Sequence, residues 1–185
     1  MFFPISDDDR ALIRPAYVTS TLLVVNVVVF VFLQLPNEEF TRGWSATPHE
    51  LVMGQDLVGW VTFGGVAVLH AEGPNPIGLT LLSSMFMHGD WVHLGGNMLY
   101  LWIFGDNVEH RFGHWKFLGF YLASGICASL FQIFLAPDSM IPTLGASGAI
   151  SGILGAYLVL FPRNKVMAIV LIRIMEIPAV VVLGM

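Results

Sequence analysis

Ser147 stands between two glycines, in Gly145-Ala146-Ser147-Gly148, at the head of an apolar run that continues to Phe161. A helix starting there offers free N–H groups and the positive end of its dipole, surroundings that favour a developing oxyanion. Gly145 and Gly148 remove side-chain bulk, so a substrate backbone could come close to the hydroxyl. His93 and Asn97 are four apart and share one face of a helix. Both can donate hydrogen bonds to the same oxyanion. His88 precedes them in His88-Gly-Asp-Trp-Val-His93-Leu-Gly-Gly-Asn97. These residue types suit acyl transfer, with Ser147 as nucleophile. A plainer reading stands beside it. Gly148, Ser151 and Gly152 have the size and spacing of a close helix–helix contact in a membrane. A lone histidine or asparagine in a span can equally serve as an interhelical hydrogen bond.

The elements that must position these groups are membrane helices. Hydrophobic residues make up 56% of the 185 and charged residues 11%, with a mean hydropathy of +0.75. Soluble domains run at about 45–50% apolar and about 25% charged. A span needs about 20 mostly apolar residues. Residues 16–35 supply one without a charge. The second runs from His93 to Gly105 after an apolar lead-in from Leu79, the third from Phe117 to Leu135, and the fourth from Ser147 to Phe161. A fifth apolar run from Val166 is interrupted by Arg173, Glu176 and Pro178, and reads as a partial span. The expected fold is therefore all-α: a polytopic helical bundle of four full spans plus a partial fifth. Residues 1–15 read as a cytoplasmic N-terminal segment and 16–185 as one membrane domain. Asp7, Asp8 and Asp9 stand where a secretory signal carries a basic head, so 16–35 reads as a retained span. Residues 36–78 mix Trp44, Trp60 and Phe63 with acids and glycines, and read as a long loop partly seated in the interface.

Seven of the eight Lys and Arg residues fall on one side if the spans alternate, Arg42 being the exception. Positive loops stay cytoplasmic, so the N-terminus is expected inside and the loops 36–78 and 136–146 outside. Spans two and four then both run inward, which sets His93, Asn97 and Ser147 at similar depth. The net charge of -5 and the lack of a basic run exclude a nucleic-acid partner. No acidic residue lies in the four spans, which argues against a proton or cation relay. A single cysteine, Cys127, excludes an intrachain disulfide and reads as a small buried hydrophobe.

Three runs carry a resemblance to a known family: Met87-His88-Gly-Asp-Trp-Val-His93-Leu-Gly-Gly-Asn97-Met98, Trp102-Ile-Phe-Gly105-Asp-Asn107-Val-Glu109 and Gly145-Ala-Ser147-Gly148-Ala-Ile-Ser-Gly152. In this order and spacing the chain from Leu79 to Met185 resembles the rhomboid intramembrane serine proteases. The resemblance implies the rhomboid fold, with Ser147 as nucleophile in a Gly-x-Ser-Gly motif. His93 and Asn97 match the oxyanion pair, His88 a histidine at the mouth of the site, and Gly145 and Gly148 the motif glycines. Loop 36–78 matches a membrane-embedded first loop, and Glu109 and Arg111 a structural polar network. It implies cleavage of transmembrane protein substrates near the outer face of a bacterial or archaeal cell membrane, without metal or cofactor. Two departures accompany it. The family's general base is a histidine on a sixth span, so the chain is expected to be a C-terminally truncated member, inactive as written. Ser151 stands where many members carry an aromatic that supports the base. The competing expectation is a non-catalytic rhomboid-like protein that binds transmembrane helices.

Overall fold

The computed structural model describes residues 2–7, 15–170 and 173–183. Arg10 and Arg14, part of the expected charge bias, lie outside these. The molecule is mostly helical. The first long element, α1, covers Tyr17–Val28 and continues without a break into a π-helical stretch, Val29–Gln34. Then come two short helices, α2 (Glu38–Trp44) and α3 (Pro48–Met53), and a hairpin of β2 (Gly59–Phe63) and β3 (Val66–His70). A short helix α4 (Thr80–Ser83), with 3-10 turns on either side, leads to α5 (Trp91–Phe112), α6 (His114–Leu135) and α7 (Ser147–Leu160).

Among the described residues two helical stretches, Tyr17–Gln34 and His114–Leu135, are long and apolar enough to cross a membrane. Only 11% of the latter's most apolar window is buried. A core helix of a soluble protein hides its apolar side chains, whereas α6 presents Phe131, Phe134 and Leu135 outward. Cys127 lies on that exposed face. The sequence suggests a buried residue here, and the structure leaves it exposed instead. The packed interior is made by α1, α5, α6 and α7 around Leu101, Phe104, Phe117, Tyr121, Ile153 and Tyr157. Small residues set the spacing of α6 and α7. A Cβ on Gly125 would lie 3.3 Å from Ala149 Cβ, and a Cβ on Gly152 would meet Ser124.

The stretch from Lys165 onward differs from expectation. Instead of starting a fifth span it forms strands β4 (Lys165–Val170) and β5 (Arg173–Pro178), followed by a short helix α8 (Ala179–Leu183). The N-terminal segment adds strand β1 (Phe2–Ser6), and the antiparallel order is β1-β4-β5. The physical reason is local. β-branched Val166, Ile169, Ile174 and Ile177 suit strands. Lys165 and Glu176 pair across them at 2.9 Å, a bond no single helix of this run could make. Hydropathy alone does not tell two six-residue strands from the start of a span.

Loop 36–78 is more ordered than its composition suggests. Asn37 caps α2 by accepting from Phe40 N at 3.1 Å, and Gly54 ends α3 with φ +66°. The ends of the loop touch backbone to backbone. A side chain on Gly43 would run into the Glu72 carbonyl, and a Cβ on Gly73 would lie 2.5 Å from the Gly43 carbonyl. Inside it, Glu50 is buried, accepts from Leu57 N at 3.2 Å and faces His70 Nδ1 at 3.2 Å. Burial pushes its carboxyl above the usual 4.5, more than Leu57 N–H and His70 pull it down. A raised folded value favours the protonated fold. That stabilisation is complete below 4.5 and is lost as the pH rises through the folded value. Glu50→Gln keeps the acceptor and removes the charge. Hydrogen exchange of residues 50–70, corrected for the intrinsic pH dependence of exchange, should then show opening that depends less on pH than in the wild type, whose loop loosens as the Glu50 carboxyl ionises.

Candidate active site

The chain reaches Ser147 along an extended stretch that loop 36–78 holds in place. Ala46 and Thr143 bridge as an antiparallel pair, with N–H to carbonyl distances of 3.0 and 2.8 Å. Thr143 Oγ1 also donates to the Ala46 carbonyl at 2.8 Å, and Gly145 N donates to the Ser84 carbonyl at 2.8 Å. Gly145 has φ +131°, a conformation that a side chain would strain. It turns the chain into α7. Ala146 precedes that helix and offers no side-chain cap. The first N–H groups of α7 are therefore left for another acceptor. Ser147 is exposed, and among the described residues its Oγ has no hydrogen-bond partner.

Facing this helix start is the first turn of α5. Asp90 caps α5, accepting from His93 N at 2.7 Å. The His93 ring lies against Gly145: a Cβ there would be 2.9 Å from both Cε1 and Nε2 of His93, and 3.7 Å from Ser147 Oγ. A missing methyl group is thus all that separates imidazole and hydroxyl along this line. The ring's protonation follows from its other side. Gly89 N donates to His93 Nδ1 at 3.3 Å. A backbone N–H can only donate, so Nδ1 accepts and the neutral ring carries its proton on Nε2. His93 therefore turns an N–H donor, not a base, toward the Gly145–Ser147 corner.

The other expected residues divide. His88 is buried and packs edge-on to His93, ring centroids 5.1 Å apart, with neither ring nitrogen bonded. Asn97 sits one turn below His93 and donates Nδ2 to the His93 carbonyl at 3.0 Å, which leaves one N–H of the amide uncommitted. Gly148 takes part in the packing as well. A Cβ there would lie 2.6 Å from Ala128 Cβ, so α6 needs its small size, and Gly148 also lines the cavity beside Ser147. Beside Ser147 is a cavity of about 110 Å³, and polar groups of Ser84, Ser129, Gln132 and Thr143 help to line it. Volume and lining suit a few waters.

Sequence reasoning passed over Gln34, whose amide grips the backbone of His88, and Ser84 and Gln132 beside the cavity. Gln34 had a readable signal, as a polar side chain inside an apolar span. Glu109 and Arg111 were expected to share a polar network. Glu109 is 1% exposed and accepts from Val18 N at 2.9 Å, Thr19 N at 2.7 Å, Thr19 Oγ1 at 2.7 Å and His114 Nδ1 at 2.5 Å. It lies in the last turn of α5, at the opposite end of that helix from His93.

Residues 78–185 match the family model described as the Rhomboid domain. The chain is 32% identical to Rhomboid protein 1, mitochondrial, of Saccharomyces cerevisiae over 161 residues, 85% of this chain and 40% of that protein. It is 41% identical to Rhomboid protease GluP of Bacillus subtilis over 87 residues, 47% of this chain and 17% of the other. To Presenilin-associated rhomboid-like protein A, mitochondrial, of Danio rerio it is 31% identical over 103 residues, 55% of this chain and 27% of the other. The chain spans less than half the length of each of these curated relatives. No solved structure matches it significantly.

Proposed function

The chain belongs to the rhomboid family, and from that premise we propose that it is a serine endopeptidase that cuts transmembrane proteins inside the bilayer. One observation carries the reading: a histidine fixed as an N–H donor lies against the uncapped start of the helix that bears an exposed serine. Ser147 Oγ attacks the scissile carbonyl carbon. The new C–O bond pushes the carbonyl π pair onto oxygen, and that oxyanion takes hydrogen bonds from the α7 N–H groups and from His93 Nε2. Asn97 adds its uncommitted N–H. The Oγ–H proton passes through a water of the cavity beside Ser147 to the departing nitrogen, so collapse of the intermediate expels a neutral amine and leaves an acyl ester. Water from the cavity beside Ser147 attacks that ester through a second oxyanion in the same place; the ester C–Oγ bond then breaks, the water's proton returns to Oγ, and the acid product leaves. No step calls for a metal or cofactor.

We place four spans, α1, α5, α6 and α7, with the site near their outer ends and the N-terminus on the inner side. The distribution of Lys and Arg supports this. The relatives named for mitochondria weigh toward an organelle membrane, away from the bacterial or archaeal cell membrane expected above. The experiment is reconstitution of the protein in proteoliposomes with a transmembrane substrate that has small residues near its outer end. Cleavage should occur inside the substrate's span, and Asn97→Ala should slow it by roughly 10–1000-fold with the fold kept, the cost of one oxyanion donor. Unfolding without a separate kinetic effect would reassign Asn97 to packing.

A second reading has one observation in its favour. Among the described residues no histidine stands as a base to Ser147. His93 offers an N–H, His88 packs on His93, His49 and His70 lie in the outer loop, and His110 and His114 are at the other end of α5. A rhomboid-like protein that binds transmembrane helices without cutting them needs no base. Binding of the substrate span with no cleavage would select it.

A further inference from the structure

Gln34 is the one polar side chain between Val27 and Leu35. It is buried, and a buried primary amide is costly unless its groups are bonded. Its Oε1 accepts from His88 N at 2.8 Å, and its Nε2 donates to the His88 carbonyl at 3.0 Å and lies 3.3 Å from Thr41 Oγ1. One side-chain amide thus holds both backbone groups of His88, as a neighbouring strand would.

The helix is adjusted to put it there. Leu35 N bonds to the Phe30 carbonyl, five residues back, at 3.0 Å. In a regular helix at 3.6 residues per turn, positions eight apart drift by about 80°, toward the edge of a shared face. The widened turn counters that drift and keeps Gln34 on the buried face with Asn26 and Phe30.

The His88 carbonyl and the Gly89 N–H belong to one planar peptide unit. Gln34 holds that unit by its oxygen, and the same unit donates through its nitrogen to His93 Nδ1. Glycine at position 89 leaves the plane otherwise free to turn. A continuous chain of donors follows: Gln34 Nε2–H to the His88 carbonyl, Gly89 N–H to His93 Nδ1, and His93 Nε2–H toward the Gly145–Ser147 corner. Bonds in such a chain polarise one another in the same sense.

We propose that Gln34, on the first span, is a positioning residue for the oxyanion donor: it fixes the 88–89 peptide, and through it the tautomer and aim of His93. The proposal rests on the reading of His93 as that donor. Its test uses a readout that does not need catalysis. The full chain, with 15N-labelled histidine, is examined by NMR in detergent micelles at neutral pH. In the wild type His93 should show a bare Nδ1 and a protonated Nε2. In Gln34→Leu it should become a mixture of tautomers, while His114, beside Glu109 at the far end of α5, keeps its signals. Gln34→Glu should disturb His93 at least as much, because a carboxylate cannot donate to the His88 carbonyl. In a cleavage assay either variant should lose about 10–100-fold, in kcat and not in KM, as expected when a catalytic group is displaced by about 1 Å. A wild-type His93 protonated on Nδ1 overturns the proposal without any variant. So does a folded Gln34→Leu whose His93 tautomer is unchanged. If His93 follows Gln34 but no substrate is cut, the positioning stands and the protease reading falls.

Discussion

Ser147→Ala should abolish labelling by a serine-reactive phosphonate and reduce cleavage by roughly 10⁴–10⁶-fold, the range seen when a hydrolase loses its nucleophile. A phosphonate needs an attacking oxygen and an environment that stabilises negative charge on its own oxygen. On the proposed reading the start of α7 and the His93 N–H supply the second whether or not the hydroxyl is present. Only Oγ supplies the first. The substitution is also structurally mild. Ser147 is exposed, and among the described residues its Oγ bonds to nothing, so its loss leaves no buried partner unsatisfied. Thermal unfolding should therefore stay within about 0.5 kcal/mol of the wild type, as for a surface change. Labelling that survives in Ser147→Ala would move the nucleophile elsewhere. Absence of labelling in the wild type would favour the helix-binding reading.

Glu109→Ala should cost about 3–5 kcal/mol of stability, the penalty for removing one partner from a buried charged network. Ala16 begins α1 without a side-chain cap, and Glu109 of α5 takes that role from across the bundle. Its negative charge lies at the positive end of the α1 dipole. The same carboxylate reaches His114 at the start of α6, so three helices meet at one side chain. Glutamine should rescue little. Whichever way its amide turns, an NH₂ faces the N–H of Val18 or of Thr19, and donor meets donor. Chemical unfolding in bicelles measures the loss. A cost below about 1 kcal/mol, the worth of one ordinary hydrogen bond, would show that Glu109 is not the tie that its bonds suggest. Activity per folded molecule should be unchanged, since Glu109 and His93 lie at opposite ends of α5.

The parts of the molecule that one physical pattern governs were legible in the sequence. Charge-free apolar runs located α1, α6 and α7, and the four-residue step from His93 to Asn97 located one face of α5. The approach of His93 to Gly145 is in keeping with the similar depth expected of spans two and four. What stayed hidden depends on partners distant in sequence. Loop 36–78 looked irregular because its helices and hairpin are too short for periodicity to register, and they are held by pairs such as Ala46 with Thr143. Gly148 was ambiguous for a different reason. A glycine that admits a substrate and one that admits a neighbouring helix have the same composition, and the close approach of Ala128 shows only in the folded chain. The strands β4 and β5 share their apolar character with a span and differ only in how their side chains alternate.

The backbone contact of Gly43 with Glu72 and Gly73 has a consequence for how this fold could vary. It closes a loop of about thirty residues at its root, where a single-cysteine chain has no disulfide to do so. Closing a longer loop costs little more, roughly 0.6 kcal/mol for each doubling of its length. Sequence could therefore be added at the Gly64–Gly65 tip of the hairpin, where a Cβ on either glycine meets nothing, without the lengthening being felt at Ala46, Thr143 or Ser147. The glycine root makes the tip a permissive port: new recognition modules could be acquired there while the proposed catalytic end stays as it is.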